Sequence, residues 1–533
     1  MSANPHAMAR AATTISALAV LSPVAGLAVE VALAWRFGTS PTVDAFRIGA
    51  LLLVLGQQVF VGQILPYTVV PIFTEYRTQG REKEAWHVAL SLANLLLVPM
   101  LLLSLLVFFR PEPVVHLFAP GLAGEARETA TLFIRWFLLT YGLLVWSGVA
   151  TGLLYAHGIF WLPPAMQLMG NVILVALILS LGSKLGAVSL VWGVLLSAAL
   201  GCVMYASKLL PLMRQAGAPF PWRLDTKHPG VRRALVLALP MLGAVVVMQW
   251  TSAMVTRALS QLPSGSLALF GYSWKMGLLV SVVPLALATV MFPRFAEARF
   301  SPSGEEFRQI CTRALRMALF LAIPLSAWLY ALRFPVVALL LKRGAFAGES
   351  SEAVSRLFGL LLLGAPAAAA AAFMEKMFYA LEKTRILLYT QLASAALLTA
   401  LAGGVTKIFG AEGLMVFAGP VVAFLTATGF FLVLSRRHRT FLWTEVLLFT
   451  SKILALALVS AWIAREVSVL FERISVPSFF SLVLVTAGGL AAGATAFLAA
   501  GLACQVPEAV ACSRYLRWWG DAIVKRAQSG TRG

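Results

Sequence analysis

Charge is what this sequence has least of. Only 12% of its 533 residues are Asp, Glu, Lys or Arg, against 60% hydrophobic. With a mean hydropathy of +0.86, that balance excludes a water-soluble globular chain. Cysteine is also scarce: Cys202, Cys311, Cys504 and Cys512 form no close-spaced metal or redox motif and read as small apolar packers. The six histidines, His6, His87, His116, His157, His228 and His438, are scattered without metal-ligand spacing, each a solvated or interfacial side chain. HExxH, GxSxG, GxxxxGK[ST] and GxGxxG are all missing. No catalytic residue, metal or cofactor is therefore expected, and the chain does not read as an enzyme. Without a nucleotide motif, transport would draw on a gradient, the membrane potential or removal of product.

What is present is a succession of apolar windows of about 20 residues, each long enough to cross a bilayer. Fourteen such windows run from near residue 23 to near residue 491. The first, over residues 11–35, is too long for a signal-peptide core and reads as a retained span. A net charge of +20 invites a nucleic-acid reading, which its distribution argues against. With the N-terminus inside, the inner segments carry 26 Lys/Arg and the outer loops 14, while Lys275 and Lys452 fall within spans. This is the positive-inside pattern, with both termini cytoplasmic. Membrane lipids are the expected partners, with anionic lipid favoured by the basicity. The expected fold is an all-α polytopic membrane protein.

One apolar stretch, residues 37–77, is interrupted throughout. It opens on the turn Phe37-Gly38-Thr39-Ser40-Pro41, passes Asp44-Ala45-Phe46-Arg47, and carries Gln57 and Gln58 inside the apolar run. Pro66 and Pro71 are expected to break its helix before the exit Pro71-Ile72-Phe73-Thr74-Glu75-Tyr76-Arg77. Carbonyls freed by proline need protein or water nearby. The exit returns 222 residues later as Pro293-Arg294-Phe295-Ala296-Glu297-Ala298-Arg299. Gly124-Glu125, Tyr155-Ala156, Gln167-Leu168 and Gly186-Ala187 recur at an offset of 224, as Gly348-Glu349, Tyr379-Ala380, Gln391-Leu392 and Gly410-Ala411. The chain thus reads as a duplication of six-span lobes in parallel orientation. Residues 1–210 form the first lobe, 211–231 a cytoplasmic linker and 232–440 the second lobe. Residues 441–505 add two spans, and 506–533 an interfacial amphipathic tail.

Ionisable groups within spans are costly in hydrocarbon and point to function. Glu30 lies in the first span. Asp44 and Arg47 sit one turn apart at the start of the second, either as a local ion pair or facing a substrate. Lys275 lies in the eighth span, in a broken helix that favours a cavity. Glu30, Asp44, Arg47, Gln57, Gln58 and Lys275 are the candidate substrate-binding residues. Gly38, Pro71, Glu75, Pro293 and Glu297 are the candidate gating or structural residues. Arg257 reads as an anchor at the end of the seventh span.

These residues resemble a known family. Phe37-Gly38, Asp44-Ala45-Phe46, the long second helix and the closing Pro71-x-Phe73-x-Glu75-Tyr76 look like the start of the MurJ (MviN) lipid flippases. Ser22-x-x-x-Gly26 followed by Glu30 is similar to the family's first helix, and Arg343-Gly344-Ala345-Phe346 to its loop before span ten. The resemblance covers residues 10–440. It implies the MOP (multidrug/oligosaccharidyl-lipid/polysaccharide) superfamily and two six-span lobes, an architecture that suits alternating access; a monomer of the bacterial inner membrane is expected. It also implies a polyprenyl-pyrophosphate-linked saccharide as substrate, such as lipid II or another envelope glycan precursor. A small-molecule exporter of the same superfamily is the alternative. The family's substrate-binding arginines are replaced here by Pro23, Val29, Gln57 and Gln58, and Trp274 stands where its eighth helix carries another. The headgroup site is expected to be less positive than the family's.

Overall fold

The computed structural model describes residues 5–62, 64–218, 224–298, 305–346, 348–381, 383–437, 440–474 and 479–514. Among them the chain is helical throughout, with no strand. The first ten helices are α1 (Pro5–Phe37), α2 (Pro41–Gly56), α3 (Ile64–Thr78), α4 (Glu82–Phe109), α5 (Glu112–Phe118), α6 (Gly124–Ala156), α7 (Leu162–Leu185), α8 (Ala187–Gln215), α9 (Pro229–Leu259) and α10 (Ser266–Ala298). The rest are α11 (Glu305–Ala331), α12 (Arg333–Leu341), α13 (Gly348–Ala380), α14 (Thr384–Val416), α15 (Val422–Arg437), α16 (Trp443–Ile474) and α17 (Phe479–Ala503). Ten helical stretches among the described residues are long and apolar enough to span a membrane, against the fourteen expected. One of the ten, Arg385–Arg436, runs 52 residues, about twice the length of a single crossing. Outside the ten, α1, α9 and α10 are 33, 31 and 33 residues long.

The duplication is visible in the helix boundaries. α6 and α13 are both 33 residues long, and both their ends are separated by the 224-residue offset of the sequence repeat. Each follows a short helix, α5 or α12. Gly186 separates α7 from α8 at φ 52°, and Gly410 breaks α14 at φ 62°.

The chain groups into two compact units. The first comprises residues 1–275, 343–350 and 391–414, and the second residues 276–342, 351–390 and 415–533. α6 is the buried axis of the first unit. Its Phe133 and Phe137 meet Phe46 of α2 edge-on at 5.7 and 6.1 Å, pairings worth roughly 0.5–1.5 kcal/mol beyond the area they cover. Tyr141 donates its hydroxyl to the Leu52 carbonyl at 2.6 Å. A hydroxyl buried at membrane depth needs such a partner. In the second unit α13 holds the corresponding place, with Phe373, Met377 and Phe378 buried among residues of α11, α15 and α16. Lipid is as apolar as these side chains, so van der Waals fit and satisfied polar groups hold the helices together.

The break in the second span lies earlier than the prolines. α2 gives way to a π-helical stretch over Gln57–Gly62, and Pro71 sits inside α3. Pro66 falls in the first turn of α3, where its missing N–H has no intrahelical acceptor to lose. The π stretch, which forfeits the i−4 register, makes the discontinuity. At the other end of the chain, Val506 and Ala509 are buried in the second unit's core, and Glu508 pairs with Arg316 at 2.9 Å. The remainder of the expected amphipathic tail, residues 515–533, lies outside the described residues.

Candidate functional site

The Phe37–Pro41 turn is the start of a polar cluster within the first unit. Gly38 adopts φ 59°, and a Cβ there would sit 2.5 Å from the Ala345 carbonyl oxygen. Only glycine combines the left-handed backbone with that approach. Ala345 in turn donates its N–H to the Trp35 carbonyl at 2.8 Å. The Arg343-Gly344-Ala345-Phe346 motif therefore closes over the end of α1. Phe346 packs edge-on against Tyr272 at 5.6 Å, and Tyr272 donates its hydroxyl to the Gly38 carbonyl at 2.8 Å.

Two carboxylates and two cations stand beneath this turn, and the pairing differs from the expected one. Asp44 does not bond to Arg47. Its Oδ2 accepts from Gly265 N–H at 2.5 Å and its Oδ1 from Ala268 N–H at 2.8 Å. It thus caps the N-terminus of α10, whose first N–H groups have no carbonyl of their own helix. Asp44 is 2% exposed, so water cannot replace those bonds. Arg47 reaches across to α1, donating NH1 and NH2 to the two oxygens of Glu30 at 2.9 and 2.5 Å. Its guanidinium lies 5.0 Å from the Tyr272 ring centroid, and a Cβ on Gly271 would overlap its Nε. Glutamate, tyrosine and glycine together form a slot fitted to one guanidinium.

Lys275 lies one turn further along α10. Its ammonium comes to 3.6 Å from where a Gly26 Cβ would be. Asn171 of α7 also borders Gly26 and donates to the Ser22 carbonyl at 3.4 Å. No carboxylate among the described residues pairs with Lys275. Beside Asp44, a cavity of about 280 Å³ is lined by Pro41, Gly121, Glu125, Ser260 and Leu267, among others.

Of the expected site residues, the structure thus brings together Glu30, Asp44, Arg47 and Lys275, with Gly38 above them. Gln57 and Gln58 stand in the π stretch, about 15 Å along the helix from Arg47 at 1.5 Å per residue. Glu75 pairs with Arg233 at 2.7 Å, and Pro71 is exposed. The side chains of Pro293 and Glu297 lie outside the described residues. Arg257 donates to the His116 and Leu117 carbonyls, tethering α9 to α5.

Three of the histidines make specific contacts. His87 Nε2 meets Asp225 Oδ2 at 3.2 Å and His228 Nε2 meets Glu84 Oε1 at 3.2 Å, with the two rings 5.6 Å apart. The His157 ring packs on Phe73 and Trp86 at 5.2 and 5.7 Å. The His87 hydrogen bond, aided by the Lys227 and His228 N–H groups, holds the Asp225 carboxyl below the usual carboxylate range. These residues are far apart in sequence, so spacing gave no sign of them. Tyr272 and Asn171 were also missed, although an asparagine within the apolar run of α7 is a signal by the reasoning applied to charges.

The lipid II flippase MurJ family profile matches residues 33–486. The chain belongs to the MurJ family. It is 26% identical to the lipid II flippase MurJ of Burkholderia cenocepacia over 367 residues, 67% of this chain and 70% of that protein. It is 28% identical to the probable lipid II flippase MurJ of Rhizobium meliloti over 382 residues, 70% of each. Its fold matches a lipid II flippase MurJ in an inward closed conformation, with a TM-score of 0.77 at 18% identity over 92% of this chain and 98% of that one. An inward-facing MATE-family multidrug resistance transporter of the MOP superfamily matches with a TM-score of 0.60 at 17% identity, over 80% of this chain and 98% of that one. A MurJ-family chain of this composition is a multi-pass protein of the bacterial inner membrane.

Proposed function

We propose that this protein is a flippase that moves a polyprenyl-pyrophosphate-linked saccharide, lipid II or another envelope glycan precursor, from the inner to the outer leaflet. Family membership carries the reading, and the cluster of Glu30, Asp44, Arg47, Tyr272 and Lys275 supports it. A membrane span does not retain such groups without a polar task. In this reading both termini are cytoplasmic, the lobes 1–210 and 232–440 alternate access as a monomer, and no covalent chemistry occurs. Lys275 and Asn171 meet the headgroup, with Gln57 and Gln58 offering amides to sugar hydroxyls. Gly38, Pro71, Glu75, Pro293 and Glu297 belong to the turns and exits that move. The alternative, an exporter of small amphiphilic or cationic compounds, needs a carboxylate free to exchange for a cation. Glu30 and Glu375 are the candidates: Arg47 already occupies the first, and the second accepts from the Tyr379 hydroxyl at 3.0 Å.

The test is replacement of a lipid II flippase in a depleted strain. The native sequence is expected to replace it poorly, and Arg at positions 23, 29, 57 and 58 to improve rescue. Full rescue by the native sequence would show that those arginines are dispensable for lipid II. Failure of every version, together with no flipping of any polyprenyl-linked saccharide in vesicles, would remove the flippase reading.

A further inference from the structure

The cluster contains two cations of unequal availability. Arg47 is paired on one edge and enclosed on the others. Glu30 takes both terminal nitrogens, Tyr272 covers a face, and Nε is buried over Gly271 without a hydrogen-bond partner. Lys275 is half-buried and has no carboxylate partner among the described residues. The two cations are nonetheless neighbours. Gly26, against Lys275, and Glu30, against Arg47, are one turn apart on α1. Tyr272, against Arg47, and Lys275 are one turn apart on α10. Positions so related are adjacent on a helix face, so both cations border the same faces of α1 and α10.

We infer that Glu30 sets headgroup selectivity by holding Arg47 out of the phosphate site, so that this chain meets a polyprenyl diphosphate with one cation, Lys275. The inference rests on the flippase reading and deepens it. Glu30 is then a positioning residue that acts through Arg47 and touches no substrate. Glu30 takes two of the five N–H groups of Arg47 on the NH1/NH2 edge, and the Nε edge is buried over Gly271, so neither edge is presented to a phosphate oxygen while the pair holds. A single ammonium is a point charge without that fork, and discriminates weakly between one phosphate and two.

The experiment measures binding of polyprenyl monophosphate and polyprenyl pyrophosphate to the full-length protein in nanodiscs. Wild type should bind the two lipids within a few-fold of each other. Glu30→Gln should tighten pyrophosphate binding by about tenfold or more, the effect of one added charge-assisted hydrogen bond, and change monophosphate binding much less. Glu30→Gln with Arg47→Gln should return both affinities to wild-type values, which a merely structural role for Glu30 would not do. Should Glu30→Gln fold poorly, Glu30→Asp, whose shorter carboxylate loosens the pair, should tighten pyrophosphate binding in the same direction, and an unchanged lipid preference there overturns the inference. Weaker pyrophosphate binding than wild type would show Arg47 to be a ligand already and overturn the inference. An unchanged lipid preference in Glu30→Gln overturns it while leaving the flippase reading intact. No binding of either lipid by wild type removes both.

Discussion

Gly271→Ala isolates the Arg47 slot without touching a charge. A methyl group at 271 would overlap Nε and leave Cζ only 2.6 Å and Cδ only 3.0 Å away. The guanidinium cannot stay where it is. If it shifts but keeps Glu30, the cost is that of overpacking, about 1–3 kcal/mol. If it is expelled, Glu30 is left buried and unpaired, about 3–5 kcal/mol. A loss on the order of 3 kcal/mol is expected, read as a lower midpoint for unfolding in detergent or nanodiscs. Gly243→Ala in α9 is the control, because a Cβ there meets nothing within 4 Å. Glycine to alanine in an open helix position normally stabilises, by about 0.4–1 kcal/mol. The two substitutions, identical in chemistry, should therefore move stability in opposite directions. In a Glu30→Gln/Arg47→Gln background the cost of Gly271→Ala should shrink, since the shorter side chain leaves the slot open. Equal effects at 271 and 243, or an undiminished cost in that background, would refute the reasoning.

Lys275→Ala should impair lipid transport in reconstituted vesicles more than Arg257→Ala, because Arg257 spends its charge on the His116 and Leu117 carbonyls; equal impairment would remove Lys275 from the site. Asp44→Asn leaves one oxygen to face two converging N–H donors, so its own NH₂ must oppose one of them, at a cost of about 1–3 kcal/mol. Hydrogen exchange at Gly265 and Ala268 should accelerate in that variant and stay slow in Gly243→Ala. Reporter fusions should place both termini and residues 208–233 in the cytoplasm; an outer position for that loop would break the topology and the parallel repeat.

The class and the repeat shared by α6 and α13 were legible because each leaves a local trace. Hydrophobic windows mark helices, and a constant offset between glycine, proline and tyrosine pairs marks a repeat. The boundaries of α6 and α13 carry the same offset. Pairing was not legible. Asp44 and Arg47 are one turn apart, and spacing alone makes them each other's natural partner. Each has instead a partner on another helix, the α10 N-terminus 221 residues away for Asp44 and Glu30 of α1 for Arg47. The π stretch at Gln57–Gly62 escaped for a different reason. Proline announces a break in sequence, while a change of hydrogen-bond register has no residue type of its own. The histidine–carboxylate contacts likewise depend on bringing Asp225 and His228 back to Glu84 and His87.

The first turns of α10 explain why this region tolerates so much polarity. Gly265, Ala268, Tyr272 and Lys275 follow one another at three, four and three residues, which is one stripe of a helix. In order, that stripe gives two N–H groups to Asp44, supports Arg47 and bonds to Gly38, and ends in the ammonium against Gly26. The Gly265 and Ala268 N–H groups and the Tyr272 hydroxyl each have a counterpart on α2 or the turn before it, which is what makes the cluster tolerable inside a membrane protein. The same fact limits how it can work. Asp44 and Glu30 are already engaged, so neither can take a substrate group unless α10 turns or slides against α1 and α2. Lys275, at the open end of the stripe, needs no such rearrangement. In the proposed reading a headgroup would therefore meet Lys275 first. The bonds above it would then be the ones that resist, or release, the movement of α10.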